Sequence, residues 1–457
     1  MKLSKKIYNL SPNFVQNLII TIYDWQQYRK RHSTAYHKEK KYLKSFDNVA
    51  YSVIAEEQNR LLFEFLKYCK ENSEYYKTRI LEVDSTNPRE TLSKIQPINK
   101  EELRQNIASI QTIKKKDSFV VQTGGTTGKS LEVYYFWEDA QKRFGMLDVF
   151  RERFEYKFGK RTAWFSGKAI LTQRDIGKRR FWKTDMLHKI RYYSTFHISE
   201  KYMKYYIQNL RKFQPEFIVG FPSSIVEIAR YGLRNNLEKF NCVKAILPTA
   251  ETKDPIEARD MKAFFGADVR DQYASSEGAN FITECEEGNL HYEMLTGIIE
   301  VVDEDYQPVE EGKILVTAFG TRGTPLVRYD IGDRISLSSK TNCKCGRETP
   351  IVDSILGRIN DFIWSPENGK INLGNITNCV KNITEIIKFQ IIQDLENEII
   401  VRIVKSSKYS KSDEISFLSE LRDRVGEHMI IHIEYVDIIA TESSGKFRLV
   451  KNNYSKT

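Results

Sequence analysis

Long apolar runs are missing from this chain. None approaches the ~18 residues that a membrane-crossing helix needs. The best early stretch, Leu18 to Tyr23, is interrupted by Thr21 and flanked by Asn17 and Asp24. A secretory signal fits poorly for the same reason: Lys2, Lys5 and Lys6 suit one, but the apolar segment is short and runs into Asp24-Trp25-Gln26. Cysteine is sparse, six in 457 residues, which excludes a disulfide framework. A chain this long buries a core without such staples. Internal repeats and low-complexity linkers are absent. A strong charge of one sign is also absent from most of the chain. The net +10 falls to +3 once residues 1–50 are set aside, because that segment holds ten Lys/Arg against three Asp/Glu. Charge alone therefore gives no reason to expect a nucleic-acid-binding protein. The expectation is a cytoplasmic globular chain.

What is present is ordinary globular composition, 40% apolar, 29% charged and 12% aromatic, at a length that suits two or three domains. Residues 1–48 read as a basic helical lead-in. Phe14, Leu18, Ile22 and Trp25 recur at helical spacing, with Arg29, Lys30 and Arg31 following. Such a helix packs on the main body or lies on a membrane surface. Residues 55–70 continue helically, with Leu62, Phe65, Leu66 and Cys69 on one face. From about residue 118, short β-rich runs (119–121, 133–136, 217–220, 245–248) alternate with helical stretches (140–154, 200–213, 223–235), the signature of α/β layering. Residues 297–337 are richer in strand signals. The tail reads as two strands (386–392, 399–404), a helix (412–426) and a further strand (430–436), a domain-sized unit beginning near Gly357-Arg358.

One motif invites phosphate chemistry. Thr123, Gly124, Gly125, Thr126, Thr127, Gly128 and Lys129 form a loop whose glycines free the backbone to wrap an anion. It is not a Walker A loop: position 123 is threonine where that motif needs glycine, and Leu131 to Phe136 reads as a strand where a helix should follow. Alone, it could be a hairpin turn. Four further stretches follow in order: Asp271 to Gly278, Val327 to Asp333, Gly357 to Ile363, and Ser444-Gly445-Lys446.

This ordered set resembles the core motifs of the adenylate-forming enzymes. Within them it is most similar to the phenylacetate–coenzyme A ligase branch and its CapK-like members of capsular polysaccharide biosynthesis. Ser11 to Leu18, Gly220-Phe221-Pro222-Ser223, Arg328 to Asp333 and Gly445 to Arg448 carry that likeness. The resemblance implies an α/β fold: a large multi-layer N-terminal domain, 1–357, that binds ATP and an acid, and a small mobile α+β domain, 358–457. It implies that Thr123 to Lys129 cover ATP, that Tyr273 and Ser276 lie near the nucleotide, and that Glu277 helps to hold magnesium (Mg²⁺). Asp333 would bind the ribose, Arg358 would follow the linker, and Asp361 would be the hinge. Lys446 would reach the reacting carboxylate and the α-phosphate, as catalytic residue beside Glu277. Glu251 is expected at the adenine, and His197, Phe221 and Ser223 at the acid pocket, with Trp164 to Gly167 a further candidate lining. A carboxylate attacking an α-phosphate brings two anions together, so a lysine, a hard cation and backbone donors are the right groups for the task.

Tyr273-Ala274-Ser275-Ser276-Glu277 departs from the family's Tyr-Gly-x-Thr-Glu but keeps small residues and a hydroxyl. The carboxylic acid stays unnamed, and the acceptor could be coenzyme A or an amine. Cys285, His291, Cys343 and Cys345 offer three thiols and one imidazole in two short pairs, as for a closed structural zinc (Zn²⁺) site; free buried cysteines are the alternative. Some relatives hold structural zinc at this layout, so the resemblance favours the metal. A non-catalytic zinc scaffold or nucleic-acid-binding module is the rival. No nucleic acid is expected as partner, whereas peripheral membrane contact through the basic N-terminus and a homodimer both remain open.

Overall fold

The computed structural model describes residues 7–122, 131–358, 362–372, 376, 378–380, 383–442 and 444–454. The expected phosphate loop, Thr123 to Lys129, and the expected hinge, Asp361, lie outside the described residues, as does the side chain of Arg358. The chain forms two compact units, each assembled from separated segments: 1–24, 158–270 and 356–457 in one, and 25–157 with 271–355 in the other.

The first unit is built on a five-stranded sheet in the order Trp182–Asp185, Ile190–Ser194, Thr162–Ser166, Phe217–Gly220, Ala245–Pro248. The last four strands run parallel. Phe217–Gly220 and Ala245–Pro248 are buried throughout, which explains why they read as continuous apolar runs rather than alternating ones. The helices Glu200–Phe213, Pro222–Arg234 and Pro255–Phe265 supply Ile207, Ile225 and Phe264 to its core. The tail adds a four-stranded sheet, Ile430–Tyr435, Glu398–Lys405, Ile386–Leu395, Val450–Asn452, packed on the helix Lys411–Val425. Its core is separate, with Ile391, Val401 and Phe417 fully buried. The expected β-β-α-β order holds here; the parallel strand Val450–Asn452 is an addition.

The second unit carries a seven-stranded sheet in the order Gly297–Val302, Glu311–Ala318, Tyr329–Leu337, Ile351–Arg358, Leu290–Tyr292, Ile282–Glu284, Gln272–Tyr273. The helix Tyr51–Asn72 buries Leu62, Phe65, Leu66 and Cys69, the face its spacing predicts. Phe119–Gln122 and Glu132–Tyr135 pair antiparallel.

The lead-in helix, Asn13–Arg31, differs from the reading that packs its apolar stripe on the body. Phe14 is 70% exposed, and Leu18, Ile22 and Trp25 are exposed as well. The opposite, polar face is the one that docks. Lys183 is fully buried and donates to Asn13 (2.9 Å), to Gln16 and to Asp175 (2.8 Å). The Asn17 side chain accepts from the Thr184 amide (3.1 Å), Thr21 from the Met186 amide (3.0 Å), and Asp24 from Tyr192 Oη (2.7 Å). A buried ammonium must be surrounded by oxygen acceptors, and that requirement turns the polar face inward. Among the described residues, no helix is long and apolar enough to cross a membrane.

Candidate active site

In the first unit the candidate residues gather at one edge of the parallel sheet. Ser166, Ser194, Gly220 and Pro248 end their strands on that side. In open α/β sheets, ligands bind beyond the carboxyl ends of the strands. Gly220 has φ +145°, and a Cβ there would lie 2.0 Å from the Phe165 carbonyl oxygen. This glycine lets the chain turn tightly, through the buried Phe221, into the helix Pro222–Arg234.

The Lys446 segment docks at this edge. Gly445 has φ +80° and meets Gly167 backbone to backbone: a Cβ on Gly167 would fall 1.6 Å from the Ser444 carbonyl oxygen. Thr195 Oγ1 donates to the Gly445 carbonyl at 3.4 Å. Glu251 closes the arrangement. Its carboxylate accepts from the Ser223 amide (3.0 Å), the Ser223 hydroxyl (3.0 Å) and the Phe447 amide (3.1 Å). It thereby satisfies an orphan N–H in the first turn of the helix and holds the residue next to Lys446. Burial raises its pKa, opposed by these donors. Lys388 of the tail pairs with Glu227 and sits 4.1 Å over the Phe447 ring. His197 lies two residues from Thr195; its Nδ1 is 2.8 Å from Ser194 Oγ, and burial lowers its pKa. Glu251, expected at the adenine, is thus placed with Ser223 and the lysine segment.

In the second unit Tyr273 Oη donates to Asp333 Oδ2 at 2.6 Å. Three strands separate theirs in the sheet. At roughly 4.8 Å per strand a flat sheet would hold them about 19 Å apart, so this sheet curls strongly. Glu277 is buried, with Lys100 Nζ at 3.2 Å. Its loop is held by groups that sequence reasoning missed. Arg143 donates to the carbonyls of Gly278 (2.9 Å), Ala279 (3.1 Å) and Ser275 (3.3 Å), and Tyr135 Oη to that of Ser276 (2.9 Å). Burial lowers the Arg143 pKa. Lys100 and Arg143 stand more than a hundred residues from Glu277 in no motif, so only the fold reveals them. A buried carboxylate on a braced loop fits Mg²⁺, which takes one or two carboxylates and completes its shell with phosphate oxygens and water.

The same unit holds the candidate metal centre. Cys285 and His291 are brought together by the hairpin of Ile282–Glu284 and Leu290–Tyr292. The donor atoms of Cys285, His291, Cys343 and Cys345 all lie within 4.8 Å of one another. Cys285 Sγ is 3.7 Å from Cys343 Sγ, and Cys345 Sγ is 3.5 Å from His291 Nε2. A tetrahedron with Zn–S arms of about 2.3 Å has edges of about 3.8 Å, so the four donors fit zinc. His291 Nδ1 lies 3.1 Å from the Thr349 carbonyl, which fixes the tautomer that leaves Nε2 free for a metal.

The C-terminal family model of CapK matches residues 363–453. Over 452 residues the chain is 34% identical to the protein CapK of Staphylococcus aureus, covering 98% of this chain and 99% of that one. Among solved structures, 2-hydroxyisobutyryl-CoA ligase in its postadenylation state, in complex with R3-HIB-AMP, matches with a TM-score of 0.68 at 15% identity, over 87% of this chain and 89% of the ligase. The same ligase in its thioesterification state, with 2-HIB-AMP and CoA, gives 0.58 at 16% identity, over 89% and 91%. At these identities the likeness is one of fold: this chain is an α/β protein with the fold of that ligase.

Proposed function

The chain belongs to the CapK family, and from that premise we propose that it is an ATP-dependent ligase that activates a carboxylic acid as its acyl-adenylate. The observation that carries this reading is the docking of the Lys446 segment, through Gly445 and the Glu251 clamp, at the carboxyl edge of the parallel sheet. In the first step a carboxylate oxygen attacks the α-phosphorus, the bond to the β-phosphate bridging oxygen breaks, and pyrophosphate leaves. Lys446 neutralises the two oxyanions. Asp333, held by Tyr273, accepts from the ribose hydroxyls. Glu277 would hold Mg²⁺, which supplies charge neutralisation on the phosphates. In the second step a nucleophile, the thiol of coenzyme A or an amine, attacks the acyl carbon and AMP leaves.

We assign 1–357 to ATP and acid binding and 358–457 to delivery of Lys446, with rotation about Asp361 exchanging lysine for acceptor. Four thiol and imidazole donors without an open position make the zinc structural. Reduced cysteines suit a cytoplasmic protein. The name of the Staphylococcus aureus relative points to capsule or surface polysaccharide synthesis. Hydroxylamine trapping tests the reading. The protein with ATP, Mg²⁺ and a panel of aryl, hydroxy, amino and uronic acids is expected to give an acyl hydroxamate with one acid class. ATP binding without hydroxamate from any class would count against adenylation of these acids; no ATP binding would overturn the reading.

A further inference from the structure

The helix Asn13–Arg31 presents an apolar face that nothing described covers. Phe14, Leu18, Ile22 and Trp25 are 41–70% exposed, and Ile7 and Leu10 continue the stripe toward the N-terminus. Meanwhile the polar face is consumed by hydrogen bonds to Lys183, Thr184, Met186 and Tyr192. The apolar face is therefore not spare core surface: turning it inward would take the Asn13 and Gln16 acceptors from the buried Lys183 ammonium and leave it Asp175 alone. The loop after Trp182–Asp185 widens the patch with Met186 and Leu187, each more than half exposed.

Charge selects the occupant. The only acid of this helix is Asp24, and it faces Tyr192. The exposed Arg29 and Lys30 follow the stripe, with Arg29 Cζ 5.1 Å from the Trp25 ring centre. Residues 1–50 carry +7 of the chain's +10. A second copy would bring the same cationic segment against itself. An anionic bilayer surface satisfies both features: its acyl boundary takes the aliphatic stripe, its headgroup region takes Trp25, and its lipid phosphates take Arg29 and Lys30. We infer that this helix docks the protein in-plane on an anionic membrane surface. The inference is independent of the ligase reading.

Sedimentation of the full chain with vesicles of phosphatidylglycerol in phosphatidylcholine tests it. The protein is expected to co-sediment with these vesicles, to do so weakly with phosphatidylcholine alone, and to be released by salt. Leu18→Ser with Ile22→Ser should weaken binding at least about tenfold. Arg29→Ala with Lys30→Ala should weaken it about tenfold and flatten the salt dependence. These side chains are exposed, so both variants should melt with the native protein. Vesicle-induced blue-shifted fluorescence that Trp25→Phe diminishes gives a second readout. Absence of binding to anionic vesicles overturns the inference. So does binding that neither variant weakens, or a dimer that the Leu18/Ile22 variant converts to monomer.

Discussion

Glu251 accepts three hydrogen bonds, two from Ser223 and one from the Phe447 amide, and so couples a helix start to the residue beside Lys446. Glu251→Gln places an amide donor against these donors. It should loosen the lysine segment by about 1–3 kcal/mol, seen as faster amide exchange over 444–448 with the tail core still protected. Slowed or unchanged exchange would deny the clamp. Glu257, near Glu251, Asp254 and Asp260, has its pKa raised to about 7, first by burial. A carboxyl with a raised folded pKa keeps its proton in the native state longer than in the unfolded chain. Its contribution to stability is therefore present at low pH and is lost as pH rises from about 4.3 toward 7. Glu257→Gln should remove that loss, leaving the variant more stable than the native protein by about 1–3 kcal/mol above neutral pH and little changed near pH 4. Denaturant melts across that range check it.

Elements show where spacing informs and where it cannot. Helix Glu200–Phe213 coincides with its predicted span, and the tail follows its predicted order, because both bury one regular face. The lead-in stripe was legible but its direction was not. Which face of an amphipathic helix turns inward depends on what it meets, here a buried lysine 167 residues from Gln16. The motifs singled out Glu277 and Asp333 as candidates, yet not Lys100 or Arg143, whose contacts to the Glu277 loop arise only from long-range closure. At the candidate metal centre, the Cys-x5-His pair was readable because a two-strand hairpin brings its two side chains together. The purified protein should carry one zinc per chain. Cys343→Ser should abolish it and lower Tm by roughly 5 °C, read by elemental analysis and calorimetry. Equal zinc in both proteins would contradict the assignment. Gly445→Ala tests the docking contact directly. Its Cβ would meet Gly167 Cα at 2.4 Å in a left-handed conformation. Adenylation should fall at least about tenfold, while Tm stays near native.

For the whole molecule, the proposed adenylating activity rests on docking of one lysine-bearing segment at a parallel-sheet edge. ATP–pyrophosphate exchange against a panel of carboxylic acids, with Lys446→Ala alongside, tests that most directly. Exchange is expected to depend on one class of acid and to collapse in the variant, with the variant still binding ATP and retaining its zinc. Acid-dependent exchange that persists undiminished in Lys446→Ala would contradict it.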